Sequence, residues 1–317
     1  MDVITCGELL IDFVSTEANV TLAQAATFKK AFGGAPANVA VGVARLGHAV
    51  GFMGKVGDDD FGHFLADTLH EYGVDTRRLV FTDRARTALA FVSLRSEGER
   101  DFMFYRHPSA DMLWHADDVD RDYIAQAHIF HYGSISLISE PGRDATLTAL
   151  RYAGEAGVLR SYDPNLRLPL WPSSDAARVE MLNGWQYADV IKVSEDELTF
   201  LSGKDSLESA ARSLWHDALR LLVVTQGSAG CTYFTRTESG HVPSFPVQAI
   251  DTTGAGDGFV AGMLVGLLES GLVWDVRSIE KALSLGSAVG ALTTTQLGAI
   301  SALPTMTEVK AYLQGKR

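Results

Sequence analysis

The stretch Asp251-Thr252-Thr253-Gly254-Ala255-Gly256-Asp257-Gly258-Phe259 concentrates residues that could do chemistry. Three of the five residues 254–258 are glycine, which leaves backbone N–H groups open to close approach. The apolar run at 260–264 reads as a helix, so these N–H groups stand at a helix N-terminus, where partial positive charge favours an anion. Asp257 sits in the middle of that anion site. A carboxylate there makes sense if it takes a proton while the anion is transferred, as phosphoryl transfer to a hydroxyl requires. Asp257 is then the proton acceptor, a weak base held charged by the helix dipole. The N–H groups of Gly254, Ala255 and Gly256 stabilise the group in transit. The plainer alternative is a helix start with a favourable first-turn acid. The flanking Asp251 and threonines, and the long apolar helix, favour chemistry.

Other residues suit the recognition of a polyol. Gly33-Gly34-Ala35-Pro36-Ala37-Asn38 opens a helix, with two glycines for close backbone approach and an amide at Asn38 that can both donate and accept. Asp12 falls just past the first expected strand, where ligands of doubly wound sheets bind, and could hold two vicinal hydroxyls. Phe104 and Arg106 share a strand face, and Arg106 could reach a substrate oxygen, with Arg167 converging from elsewhere. Each has an ordinary counterpart: a turn, a solvated acid, a surface ion pair to Asp101 or Asp111. Thr225, Gly227 and Gly230 follow a strand and could seat a nucleotide or simply turn a hairpin. Glu197 opens a helix and could hold a Mg²⁺-bound water.

The elements that must position these groups alternate. Apolar runs at 3–6, 50–54, 128–132, 158–162, 190–193 and 221–225 read as strands covered on both faces. Helical patterns occupy 36–46, a face through 61–72, 143–156, 174–185, 195–201, 207–215 and 279–293. Alternating β and α units imply a doubly wound, mostly parallel sheet flanked by helices. Segments 10–32 and 87–106 break the rhythm with extended pieces, the second containing a hairpin signal at Ser96-Glu97-Gly98-Glu99. They are expected to form a small β-sheet lid on one domain spanning 1–317.

Bulk composition narrows the class. The net charge of −12, from 27 basic and 39 acidic residues, argues against a nucleic-acid or anionic-membrane partner. Two distant cysteines, Cys6 and Cys231, exclude a disulfide framework and point to a reducing cytoplasm. No signal peptide or membrane-length apolar run is expected. Both Gly-x-Gly-x-x-Gly after the first strand and Gly-x₄-Gly-Lys-[Ser/Thr] are absent, which disfavours a dinucleotide dehydrogenase and a P-loop NTPase.

Taken together, these motifs resemble the PfkB (ribokinase-like) carbohydrate kinases. Gly33-Gly34-Ala35-Pro36-Ala37-Asn38-Val39-Ala40 with Gly54-Lys55-Val56-Gly57-Asp58 is similar to the family's N-terminal signature, and residues 251–257 to its C-terminal one. Phe104-Tyr105-Arg106-His107-Pro108, His131-Tyr132-Gly133-Ser134 and Asp163-Pro164-Asn165-Leu166-Arg167 extend the likeness to the fructokinase branch. The resemblance implies a ribokinase-like fold and transfer of the γ-phosphoryl group of ATP to the 6-hydroxyl of D-fructose with Mg²⁺. It further implies activation by K⁺, for which Asp251 and Thr253 are candidates, and a homodimer through the lid. It places Asp12, Gly34 and Asn38 at the sugar, and Thr225 and Gly227 at the nucleotide, where Lys192 is a further candidate. Ser194 and Ser287 stand where many members have asparagine, a departure that weakens the metal and adenine assignments. Rival expectations are a kinase of 2-keto-3-deoxygluconate, which would use Arg106 and Arg167 as cations, and a catalytically silent sugar or nucleotide sensor.

Overall fold

A computed structural model describes residues 1–94 and 100–315. From the N-terminus these form β1 (Val3–Cys6), β2 (Leu10–Ala18), β3 (Phe28–Gly33), α1 (Ala35–Arg45), β4 (Val50–Gly57), α2 (Asp60–Glu71), β5 (Asp75–Thr82), β6 (Leu89–Leu94) and β7 (Arg100–Tyr105). Next come α3 (Arg121–Ile124), β8 (Ile129–Tyr132), α4 (Gly142–Glu155), β9 (Leu159–Tyr162), α5 (Ser174–Trp185), β10 (Val190–Ser194), α6 (Glu195–Ser202) and α7 (Leu207–Ser213). The chain continues through β11 (Leu221–Thr225), β12 (Cys231–Phe234), β13 (Ser239–Val242), α8 (Ala255–Glu269), α9 (Val276–Thr293) and α10 (Met306–Gln314).

The main sheet has nine strands in the order β13-β12-β11-β10-β9-β8-β1-β4-β5. Pairings from β5 to β11 are parallel, while β12 and β13 close one edge antiparallel. The central strands read as unbroken apolar runs because both faces are covered. Val3, Val50, Ile129 and Val190 join the cluster with α1, α8 and α9. Their neighbours Ile4, Phe130 and Ile191 join the cluster on the opposite face, with α4, α5 and α6. Strand β1 has β4 on one side and β8 on the other. The strand order therefore reverses at β1, and doubly wound sheets bind ligands beyond the carboxyl end of that switch point. Helix α8 is apolar around nearly its whole circumference because it packs between α1 and α9. No helix of the described residues is long and apolar enough to cross a membrane.

A second sheet of four strands, β3-β2-β6-β7, is built from the two segments that interrupted the alternation. The expected turn at Ser96–Glu99 lies outside the described residues. Register fixes its faces: Ala31, Asp12, Ala90 and Phe104 align in one row across the sheet. On the other face Phe13 stacks on Phe91 with ring centroids 5.1 Å apart and meets Phe61 of α2 at 5.9 Å.

Candidate active site

Helix α8 is capped by Gly254, whose φ of 76° is left-handed backbone. A Cβ there would come within 2.8 Å of the Ala299 Cβ, so the close approach also requires glycine. This bend puts Gly254, Gly256 and Asp257 on the wall of a cleft of about 230 Å³. Asp257 is 7 % exposed. Its Oδ2 accepts from Asn38 Nδ2 at 2.6 Å, and its Oδ1 from Asn165 Nδ2 at 3.4 Å. Burial raises its pKa above the ordinary carboxylate value, against the lowering effects of Asn38, Lys192 and Arg167. The expected weak base is thus corrected: desolvation makes Asp257 more basic than an ordinary aspartate. The anion cradle is also narrower than expected. The N–H of Ala255 donates to Thr252 O at 3.2 Å, whereas those of Gly254 and Gly256 make no bond among the described residues.

Across the cleft, Leu10, Asp12, Phe102 and Phe104 descend from the small sheet. The rings of Phe102 and Phe104 stack at 5.8 Å. Gly33 lies against Asp12, and Gly34 (φ 114°) caps α1, where a Cβ would meet Glu8 O at 2.3 Å. Asn38, one turn into α1, is buried and lines the cleft with Arg167, which is exposed at its mouth. Arg106 does not line it. Its guanidinium is buried and donates to Asp111 through Nε (3.1 Å) and Nη2, so the expected contact with a substrate oxygen is replaced by an internal ion pair.

Polar or aromatic lining residues with no expected role include Glu8, Phe102 and Asn165. Glu8 lies two residues past β1, and its Oε1 accepts the Ala35 N–H at 2.9 Å. Burial pushes its pKa up to about 7, although Arg106 and the Ala35 N–H favour the charged form.

Beneath the glycine turn lies a buried charge cluster. Lys192 Nζ contacts Asp163 Oδ2 at 3.0 Å and would meet a Cβ on Gly256 at 3.1 Å. Burial alone would lower the Lys192 pKa, but Asp163, Glu197 and Asp257 together raise it, so the ammonium is charged. Glu197 closes a capping box with Ser194 and accepts from Leu166 N at 2.7 Å and Ser194 N at 2.8 Å. Burial works against its charge, yet Lys192 and these N–H groups hold its pKa below the ordinary value.

The nucleotide candidates other than Lys192 do not line this cleft. Ser194 and Thr225 pair at the carboxyl ends of β10 and β11, and Gly227 (φ 57°) follows on the next turn. Gly230 packs tightly on the 242–244 backbone, and Ser287 of α9 is buried against Cys231. A cleft of about 380 Å³ lies between α7 and the β12–β13 turn, lined by Trp215 and Arg236, and contains none of the expected residues.

The metal candidates fit their ions unequally. Among the described residues no group of three or more His, Cys, Asp or Glu side chains is arranged to hold a metal. Both Glu197 oxygens already accept backbone N–H groups, which suits contact through water better than direct ligation. Asp251 Oδ1 accepts from Thr253 N (2.9 Å) and Oγ1 (2.6 Å), and Oδ2 from Gly298 N (2.9 Å). That carboxylate ties the loop before α8 to the segment after α9.

Known proteins resemble this chain over nearly its whole length. The sequence pattern of the pfkB family carbohydrate kinases matches residues 1–306. "Probable fructokinase-4" of Arabidopsis thaliana is 54% identical over 315 residues, covering 99% of this chain and 97% of that one. The solved structure of fructokinase with bound ATP from Xylella fastidiosa superposes with a TM-score of 0.91 at 39% identity, covering 99% of this chain and 98% of that one. A double mutant of fructokinase from Vibrio cholerae O395, bound to fructose, ADP and potassium ion, gives 0.89 at 36% identity, with 99% and 98% coverage.

Proposed function

The chain belongs to the pfkB family of carbohydrate kinases, and from that premise we propose that it transfers the γ-phosphoryl group of ATP to the 6-hydroxyl of D-fructose. One observation carries the reading. A buried carboxylate, Asp257, shares a cleft with two open N–H groups and faces Asp12 and Asn38, groups suited to sugar hydroxyls. The 6-hydroxyl donates to Asp257. As O6 bonds to the γ-phosphorus, the bond from that phosphorus to the ADP oxygen breaks and the proton passes to Asp257. The N–H groups of Gly254 and Gly256, with charged Lys192 beneath them, stabilise the negative charge on the group in transit. Closure of the small sheet, with Phe102 and Phe104, excludes water from the transfer.

Ser194, Thr225 and Gly227 mark the path of the nucleotide along the ends of β10 and β11, with Gly230 and Ser287 behind it. Mg²⁺ would arrive with ATP and neutralise charge on its phosphates, and Glu197 would hold a water of that ion. K⁺ at Asp251 and Thr253 would stiffen the loop that sets the cradle. A second copy of the chain would cover the outer face of the small sheet, where Met103 and Tyr105 are 44% and 57% exposed. The cytoplasm suits the two free buried thiols.

An acidic sugar such as 2-keto-3-deoxygluconate is less well served, because Asp111 occupies Arg106 and leaves Arg167 as the cation at the mouth. The test is ADP release at saturating ATP and Mg²⁺ with fructose, ribose and 2-keto-3-deoxygluconate in parallel. Fructose is expected to be turned over best. Turnover of the acidic sugar alone would overturn the substrate, and none with any sugar would indicate a sensor.

A further inference from the structure

Three non-glycine residues among those described adopt left-handed backbone, Asn19, Asn165 and Leu272. Only Asn165, with φ 47°, lines the cleft. The loop after β9 is held in this bend from both sides. Asn165 N–H donates to Asp163 Oδ1 at 3.2 Å, and Leu166 N–H to Glu197 Oε1 at 2.7 Å. Backbone in sparsely populated regions persists only where its surroundings over-determine it, and such residues cluster at functional sites. Here the bend brings Asn165 Nδ2 to Asp257 Oδ1, opposite Asn38 Nδ2 on Oδ2. A carboxylate only accepts, so both amides present nitrogen to it. Asn38 Oδ1 is buried with no partner among the described residues, an acceptor left for a second sugar hydroxyl.

We propose that Asn165 is a positioning residue for the catalytic base, forming with Asn38 a two-sided amide clamp that fixes the plane of the Asp257 carboxylate. The clamp rests on the reading of Asp257 as base. Charged groups near Asp257 are Lys192 from β10, Glu197 from α6, and Asp163 and Arg167 from the end of β9 and the loop after it. Against that background each donated hydrogen bond favours the ionised base, so removing one raises its pKa.

Asn165→Gly is the direct probe, because glycine accepts the left-handed backbone and only the amide is lost. Wild type and variant are assayed with whichever sugar of the panel the wild type turns over best. The variant is expected to melt no earlier than wild type and to keep its KM for sugar. Its kcat should fall roughly 10-fold to 100-fold, the range of a misplaced catalytic group, and the acidic limb of its kcat profile should move to higher pH. Unchanged kcat and limb, or a raised KM with kcat intact, overturns the clamp. If the glycine variant fails to fold, Asn165→Asp keeps size and backbone but sets a carboxylate against Asp257. Its kcat should fall further, and wild-type activity in it overturns the proposal equally. A wild type inert with fructose but active on another sugar contradicts the fructose assignment alone. A wild type inert with every sugar removes the base and the clamp together.

Discussion

Helices α1 and α8 both begin at a glycine with left-handed backbone, and both line one cleft, yet their N-termini are prepared differently. At α1 part of the first turn is closed to an anion. Ala35 N–H is held by the Glu8 carboxylate, Pro36 has no N–H, and Asn38 N–H closes on Gly34 O. At α8 the N–H groups of Gly254 and Gly256 are open, and the acid present, Asp257, is turned toward amides of other elements. A helix start that lacks a donor at Pro36 and carries the Glu8 carboxylate grips an anion less well than one that keeps open N–H groups at both glycines. The glycine pairs look alike in sequence, but on the proposed function they would serve opposite partners, α1 the sugar and α8 the phosphoryl group.

The comparison can be broken most sharply at Asp257. Asp257→Asn should lower kcat by ~10² to ~10⁴, while calorimetric sugar affinity stays near wild type; retained turnover would remove Asp257 from the mechanism. Next come the caps. Gly254→Ala forces a Cβ against Ala299, and the disturbed cradle should cost ~10² to ~10³ in kcat, as loss of an oxyanion donor does. Gly34→Ala collides with Glu8 O instead, and should act mainly by raising KM for the sugar. Equal kinetic signatures for the two would erase the distinction between helix ends.

The pH profile sharpens the contrast further. Asp257 must be ionised to accept a proton, and burial raises its pKa. Activity should therefore be lost, as pH falls, at a higher pH than an ordinary aspartate would give. The smallest effect belongs to Glu8. Its pKa of about 7 lies above its usual 4.5, so between those values the folded protein binds a proton that the unfolded chain does not. Stability contributed by this group is present at low pH and falls as pH rises toward 7. Glu8→Gln keeps an acceptor for Ala35 and should be more stable than wild type at pH 8 by about 1–3 kcal/mol, with kcat little changed. A less stable variant in thermal melts at pH 8 would contradict this account of Glu8.

The buried parallel strands and the place of Asp257 at a helix start are legible because both follow from local pattern: unbroken apolar runs, and glycines before an acid. Strands β5 and β13 escaped because they are edges. Arg77 and Arg78 interrupt the apolar pattern of one, and Ser239-Gly240-His241 makes the other read as a turn. The α10 cap, Thr305 with Glu308, is a local pattern that the sequence carries openly. Within the site the errors concern long-range partners. Arg106 looked available until the fold buried it on Asp111. Glu8 gave no sign of burial, and Asn165 none of its backbone bend. These facts depend on which loops meet at the switch point, and apolar periodicity carries no information about that.

The most direct measurement is a structure of the protein with ADP, fructose and a metal-fluoride mimic of the transferring phosphoryl group. The account predicts the mimic within hydrogen-bond distance of the Gly254 and Gly256 N–H groups, with fructose O6 between it and Asp257. A mimic bound at the start of α1, or O6 beyond reach of Asp257, would contradict it.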